Sequence, residues 1–231
     1  MGAGKVLRNF IAQLFVQNLW NFESEQGPGM TVVLSARSRK KAVIRPPQST
    51  FNTNPYLASF LTGVLVREWN ENGMEGVSST LESSLAAQGD DLYWRVLRPT
   101  ALLAGMFFVV IGQPLIGILI FLLGFNLFAQ GERLIGYARG LKRGRKALSD
   151  VLASLGRMKR ILLPLAGGLV GLLCAVMLFK LNLGTWVVPA AEWFIFIPFL
   201  ALAFLFAFLR ISPLLNLLLN LAILIILGVV L

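Results

Sequence analysis

The chain has 231 residues, of which 56% are hydrophobic and 14% charged, with a mean hydropathy of +0.73, a balance that excludes an ordinary soluble domain and reads as an integral membrane protein. Its 21 basic residues against 11 acidic ones give a net charge of +10, but the cations collect beside long apolar runs, so the expected partner is anionic lipid and not nucleic acid. There is no histidine and only one cysteine, Cys174, which removes imidazole bases and ligands, phosphohistidine, disulfides and thiolate metal sites; no cofactor or metal is expected.

Residues 1 to 20 place Val6, Leu7, Phe10, Ile11, Leu14 and Phe15 at helical spacing, with Lys5, Arg8, Asn9, Gln13 and Gln17 mostly off that face. The pattern predicts an amphipathic helix too polar to span, suited to the headgroup region or to a partner subunit. Trp20-Asn21-Phe22-Glu23-Ser24-Glu25-Gln26 then alternates flat apolar faces with amides and carboxylates, as a sugar site requires, and a Gly-Pro-Gly turn follows from Gly27 to Gly29. Arg37, Arg39, Lys40, Lys41 and Arg45 form a basic run closed by Pro46-Pro47 and read as cytoplasmic surface.

The stretch from Phe51 to Gly63 runs from a cluster of amides straight into an apolar segment. Asn52, Thr53 and Asn54 offer neutral donors and acceptors that suit a hydroxyl-rich solute better than an ion. The same residues before Pro55 also read as a helix N-cap, and local chemistry leaves both readings open. Tyr56 to Val66 is too short to span and predicts a core or re-entrant helix; Arg67 to Glu82 is polar, with a turn signal at Asn72-Gly73. From Gly89 to Pro99, Asp90 and Asp91 stand beside Tyr93 and Trp94, with Arg95 and Arg98 following. Adjacent carboxylates on a helix point about 100° apart, so helix-start carboxylates with Arg partners compete with any shared ligand.

Thr100 to Gln130 carries no charge and is interrupted at Gly112-Gln113-Pro114, which predicts two helices meeting at a break inside an assembly; Asn126 is an isolated amide there. Gly131 to Arg160 is strongly basic and reads as a cytoplasmic loop. Ile161 to Phe179, Trp193 to Leu209 and Pro213 to Leu231 read as spans, with Gly167, Gly168 and Gly171 as a face for close packing, Trp186 and Trp193 as interfacial aromatics and Glu192 at the outer boundary. The expected fold is therefore an all-α integral membrane protein: an amphipathic N-terminal helix, re-entrant or broken helices in the middle, and about three C-terminal transmembrane spans. Its expected divisions are 1–48, the N-terminal helix and basic segment; 49–130, the core with the polar motifs; 131–160, the basic loop; and 161–231, the spans. The N-terminus is expected in the cytoplasm and the C-terminus outside.

Taken together, Trp20-Asn21-Phe22-Glu23 with Gln26, Phe51-Asn52-Thr53-Asn54-Pro55-Tyr56, Gly89-Asp90 through Tyr93-Trp94, Leu97-Arg98-Pro99, Phe125-Asn126 and Gly140-Leu141-Lys142-Arg143-Gly144 follow one order. That order resembles the IID subunit of the mannose/fructose/sorbose family of phosphotransferase-system (PTS) sugar permeases. The resemblance implies a bacterial inner-membrane subunit that is not an enzyme by itself. It implies pairing with a IIC subunit, in a trimer of IIC–IID heterodimers, to carry a hexose-type sugar that soluble IIA and IIB proteins phosphorylate on delivery. Trp20, Glu23, Gln26, Asn52, Asn54, Asp90 and Trp94 would lie at the sugar path or the IIC interface. The chain departs from the family pattern at Arg45-Pro46-Pro47-Gln48-Ser49-Thr50, where a His-containing helix is usual, at Glu82 to Gln88, where Gly-Pro-Leu-Ala-Gly is usual, and at Ser24, where Arg is usual. The alternative reading is a non-transporting membrane scaffold or sensor that docks phosphotransferase proteins.

Overall fold

A computed structural model of the chain describes residues 3–35, 50–72, 79–183 and 197–230. The basic run 37–45 with its two prolines, Gly73, Trp186, Glu192 and Trp193 lie outside the described residues. Among the described residues the architecture is all-helical: α1 (Ala3–Leu14), α2 (Gly27–Ser35), α3 (Ala58–Asn72), α4 (Ser79–Leu92), α5 (Arg98–Val110), α6 (Pro114–Arg143), α7 (Leu148–Leu183), α8 (Ile197–Phe208) and α9 (Pro213–Val230). One π-helical segment, Tyr93–Leu97, and one 3-10 turn, Gly144–Ala147, complete it. The helices form two compact units, residues 1–91 with 127–155 and residues 92–126 with 156–231.

In the first unit, α1 turns its apolar stripe outward. Leu7, Ile11, Leu14 and Phe15 are exposed, whereas Gln13 is buried and donates to the Thr62 hydroxyl at 3.0 Å. Ala12 and Val16 also pack inward, against Val33 and Ala58. Its amphipathic pattern thus marks an uncovered face, not the side that meets the core. Helix α3 is buried from Ala58 through Val66 and crosses the C-terminal half of α6 at contact distance.

Residues 131–160, read from their charge as a loop, are helical except for the 3-10 turn, with Gly144 at φ +57° marking the bend. Leu, Ala, Arg and Lys are good helix formers, so the charges colour a face without breaking the ladder. That basic end is tied to α3 by one acceptor and one donor of that helix: Arg145 Nη2 donates to Glu68 Oε2 at 2.8 Å, and Arg67 donates to the Lys142 carbonyl at the C-terminus of α6.

In the second unit, Pro99 explains the π-helical segment. Proline has no N–H for the Arg95 carbonyl and its ring crowds that oxygen; the preceding N–H, from Arg98, bonds five residues back to Tyr93. The break expected at Gly112-Gln113-Pro114 is present, with Gly112 at φ +89° in the left-handed region and Pro114 opening α6. Phe107 and Ile111 pack with Leu172, Leu173 and Val176 as an apolar core.

The small face of α7 meets α9: a Cβ on Gly167 would stand 2.2 Å from the Pro213 carbonyl oxygen, and one on Gly171 2.5 Å from that of Leu217. Fully buried Asn216 fastens the three C-terminal helices. Its Nδ2 donates to the Pro164 carbonyl at 2.8 Å and the Ala203 carbonyl at 3.2 Å, and its Oδ1 accepts from Asn220 Nδ2 at 2.7 Å. Asn216→Ala strands those groups in an apolar interior and is expected to cost about 1–2 kcal/mol, measured as a lower unfolding midpoint of the detergent-solubilised protein. An unchanged midpoint refutes the fastening role.

By length and composition, one continuous helical stretch among the described residues, Pro114–Cys174, is long and apolar enough to cross a membrane; Pro213–Ile223 is a shorter apolar helix.

Candidate functional site

The candidate site grows from a turn made by Asn21. Its Oδ1 accepts from the Glu23 N–H at 3.0 Å, the Ser24 N–H at 2.7 Å and the Ser24 hydroxyl at 3.0 Å, which folds the Trp-Asn-Phe-Glu segment back on itself. Asn21 and Glu25 exchange backbone bonds at 3.1 and 2.9 Å, and this pairing holds Glu25 at φ +55°, a left-handed conformation uncommon for a residue with a side chain. Phe51 then lies alongside: the Gln26 N–H reaches the Phe51 carbonyl at 2.9 Å. The buried Gln26 side chain extends that pairing by one residue. Its Nε2 donates to the Thr53 carbonyl at 2.8 Å and its Oε1 accepts the Thr53 N–H at 3.3 Å, so one carboxamide replaces a backbone neighbour.

Next in the chain, Asn54 divides its carboxamide between two tasks. Its backbone carbonyl accepts from Leu57 and Ala58 as the helix begins, and its Oδ1 accepts the Tyr56 N–H at 3.0 Å, which is the work of a cap. Its Nδ2 donates to Asp90 Oδ1 at 2.8 Å. The capping reading and the polar-site reading of this motif therefore hold together. Asn54 is fully buried while Asp90 is exposed, so a charge-assisted bond joins the interior to the surface. Gly89 makes the approach possible: a Cβ there would lie 2.3 Å from the Cβ of Asn54 and 2.9 Å from Leu57 Cδ1.

Of the residues singled out from sequence, Gln26, Asn54 and Asp90 fall in this assembly. Asn52 is exposed beside it, with a 3.4 Å bond to Glu25 Oε1. Glu23 is exposed and contributes its backbone N–H to the Asn21 turn. Trp20 is half-exposed and packs edge-on against Phe22 with ring centroids 4.8 Å apart. Trp94 belongs to the second unit, near Phe125 at 6.1 Å and under Arg98 at 5.7 Å. Sequence reading passed over Arg133 and Ser59. Arg133 is buried, with Nε on the Pro55 carbonyl at 3.2 Å and its guanidinium 4.7 Å from the centre of the Tyr56 ring. The Ser59 hydroxyl donates to the Arg133 carbonyl at 2.7 Å and accepts the Tyr137 N–H at 3.1 Å, the two groups an α-helix ordinarily pairs with each other. The one available signal was an arginine within the first residues after an uncharged run.

The family described as "PTS system mannose/fructose/sorbose family IID component" matches residues 3–231 of the chain. The chain belongs to this IID family. It is 30% identical over 162 residues to the "PTS system mannose-specific EIID component" of Escherichia coli strain K12, which covers 62% of this chain and 56% of that relative. The proteins of the same name from E. coli O157:H7 and O6:H1 match with the same figures. The matched region thus spans little more than half the length of these curated relatives. A solved structure described as "Structure of membrane protein" aligns with a TM-score of 0.55 and 26% identity, covering 70% of this chain and 67% of that one.

In this IID component the assembled groups are amides, a hydroxyl, the carboxylates of Glu25 and Asp90, and backbone. Among the described residues no group of three or more His, Cys, Asp or Glu side chains is placed to hold a metal ion.

Proposed function

We propose that this chain is the IID-type membrane subunit of a PTS sugar permease, pairing with a IIC subunit to bind and translocate a hexose-type sugar that soluble IIA and IIB components phosphorylate on delivery. One observation carries the reading: in a chain matched to the IID family over residues 3–231, three of the family-like motifs, those of Gln26, Asn54 and Asp90, meet at a buried amide bonded to an exposed carboxylate. Neutral amides with one oriented carboxylate suit sugar hydroxyls, and no step of bond-making is asked of this subunit. The reading places the chain in the bacterial inner membrane, with residues 161–179, 193–209 and 213–231 as spans, the N-terminus and the basic 131–160 segment at the cytoplasmic face near anionic lipid, and the C-terminus outside. Gln26, Asn54 and Asp90, with Trp20, Glu23, Asn52 and Trp94, face the sugar path or the IIC subunit, and the complex is a trimer of heterodimers.

The test is uptake of radiolabelled hexose by cells supplying IIA, IIB and a IIC partner. Asn54→Ala removes the bond to the buried Tyr56 amide and the bond that holds Asp90 in place, a loss of about 1–3 kcal/mol, so uptake affinity is expected to fall ten- to about a hundredfold. The exposed cations at the end of α6, Lys142, Arg143, Arg145 and Lys146, favour the alternative of a non-transporting scaffold that docks phosphotransferase proteins. On that alternative Asn54→Ala leaves the cellular phenotype unchanged, and a wild-type complex that neither assembles with IIC nor binds hexose by calorimetry ends the transport reading.

A further inference from the structure

One peptide unit in the first unit is held at both ends by groups from different parts of the chain. The amide between Pro55 and Tyr56 presents its carbonyl to Arg133 Nε at 3.2 Å and its N–H to Asn54 Oδ1 at 3.0 Å. The other end of that same Asn54 carboxamide donates to Asp90 at 2.8 Å. A guanidinium on the carbonyl polarises the peptide and strengthens its N–H as a donor, and that donor decides which way the Asn54 carboxamide points. With Oδ1 engaged by Tyr56, Nδ2 is the end left to meet Asp90.

Arg133 is built for this task and little else. It is buried, its Nη1 donates to Gln130 Oε1 at 3.2 Å, and the Tyr56 ring covers its face at 4.7 Å, so among the described residues its side chain meets neutral acceptors and a π-face. The nearest acidic residue in sequence, Glu132, is instead engaged by Arg139 at 3.1 Å. Ser59 secures the backbone of Arg133 from the other side, through the Arg133 carbonyl and the Tyr137 N–H. Desolvating a guanidinium costs stability, and a role that depends on its geometry is a reason for the fold to bear that cost.

We propose that Arg133 is a positioning residue of the Asn54–Asp90 pair: acting through the Pro55–Tyr56 peptide, it orients the Asn54 carboxamide for solute binding. The inference rests on the permease reading for its functional consequence, while the geometric coupling stands apart from it.

The test uses the full chain with its IIC partner and the variants Arg133→Met, Arg133→Lys, Asn54→Ala and Arg133→Met combined with Asn54→Ala. Arg133→Met is expected to raise the KM for hexose uptake about tenfold with the maximal rate and copurification of IIC retained. Arg133→Lys, which keeps the charge and loses the planar fork, recovers only part of that loss. On the Asn54→Ala background, Arg133→Met is expected to raise KM no further; an additive, multiplied loss shows that Arg133 does not act through Asn54 and overturns the proposal. If the wild-type complex takes up no hexose, the permease reading falls, and hydrogen exchange then decides the coupling: Arg133→Met must speed exchange of the Tyr56 amide in the wild-type background and add nothing in Asn54→Ala. Unchanged Tyr56 protection in Arg133→Met, or failure of that variant to fold together with an unperturbed Arg133→Lys, overturns it.

Discussion

Gly140→Ala is expected to destabilise the protein by about 1–3 kcal/mol, whereas Gly131→Ala in the same helix stabilises it by up to about 1 kcal/mol. The substitution is identical and the helix propensity gained is the same; only the surroundings differ. A Cβ on Gly140 would stand 2.2 Å from the Phe60 carbonyl oxygen and 2.8 Å from the Val64 nitrogen, both backbone, which cannot rotate away. Nothing lies within 4 Å of one on Gly131. The crossing is reciprocal: a Cβ on Gly63 would lie 2.3 Å from the Tyr137 carbonyl oxygen, so each of α3 and α6 offers a glycine where the other's backbone passes. Relief requires the helices to part, which would also pull Ser59 from Arg133 and Tyr137. Equilibrium unfolding of the detergent-solubilised variants measures both signs; equal shifts of Gly140→Ala and Gly131→Ala would mean that α3 and α6 do not meet here.

Parts of this architecture are legible from sequence because one residue type forces the local outcome. Gly112 followed by Pro114 leaves the ladder no way through, and the helix breaks there. Gly167, Gly168 and Gly171 recur on one face of α7, and that face receives α9. The polar motifs were legible as a set, yet their pairing was not: the distance from Gln26 to Thr53 or from Asn54 to Asp90 is fixed by backbone pairing and by Gly89, which local chemistry does not reveal. Charge misled where it stood in for conformation. The cations of 131–160 look like a loop in a hydropathy reading, but Arg133 is buried on a helix, Arg139 pairs with Glu132, and Arg145 pairs with Glu68. In α1 the periodicity was readable, and the exposure of Leu7, Ile11, Leu14 and Phe15 agrees with an apolar face directed away from the chain's own core; the polar residue that meets that core was not readable. That residue is Gln13, buried and bonded to Thr62.

Gly89→Ala is expected to raise the KM for hexose uptake ten- to about a hundredfold while the complex still assembles, because one methyl group separates the two members of the pair without altering either. The added Cβ would meet the Cβ of Asn54 at 2.3 Å and its Cγ at 2.6 Å, so either α4 retreats or the Asn54 carboxamide turns, and in both cases the 2.8 Å bond to Asp90 opens. Alanine is otherwise the better helix former, which predicts that α4 itself gains slightly. Lost affinity alongside preserved helix content therefore separates a displaced binding group from a damaged fold. The decisive comparison is Gly89→Ala against the same substitution combined with Asn54→Ala. If the glycine matters only by letting Asn54 reach Asp90, the combined variant is no worse than Asn54→Ala alone. If Gly89→Ala binds hexose like the wild type, the Asn54–Asp90 bond has no part in solute affinity, and Asn54 is a helix cap and nothing more.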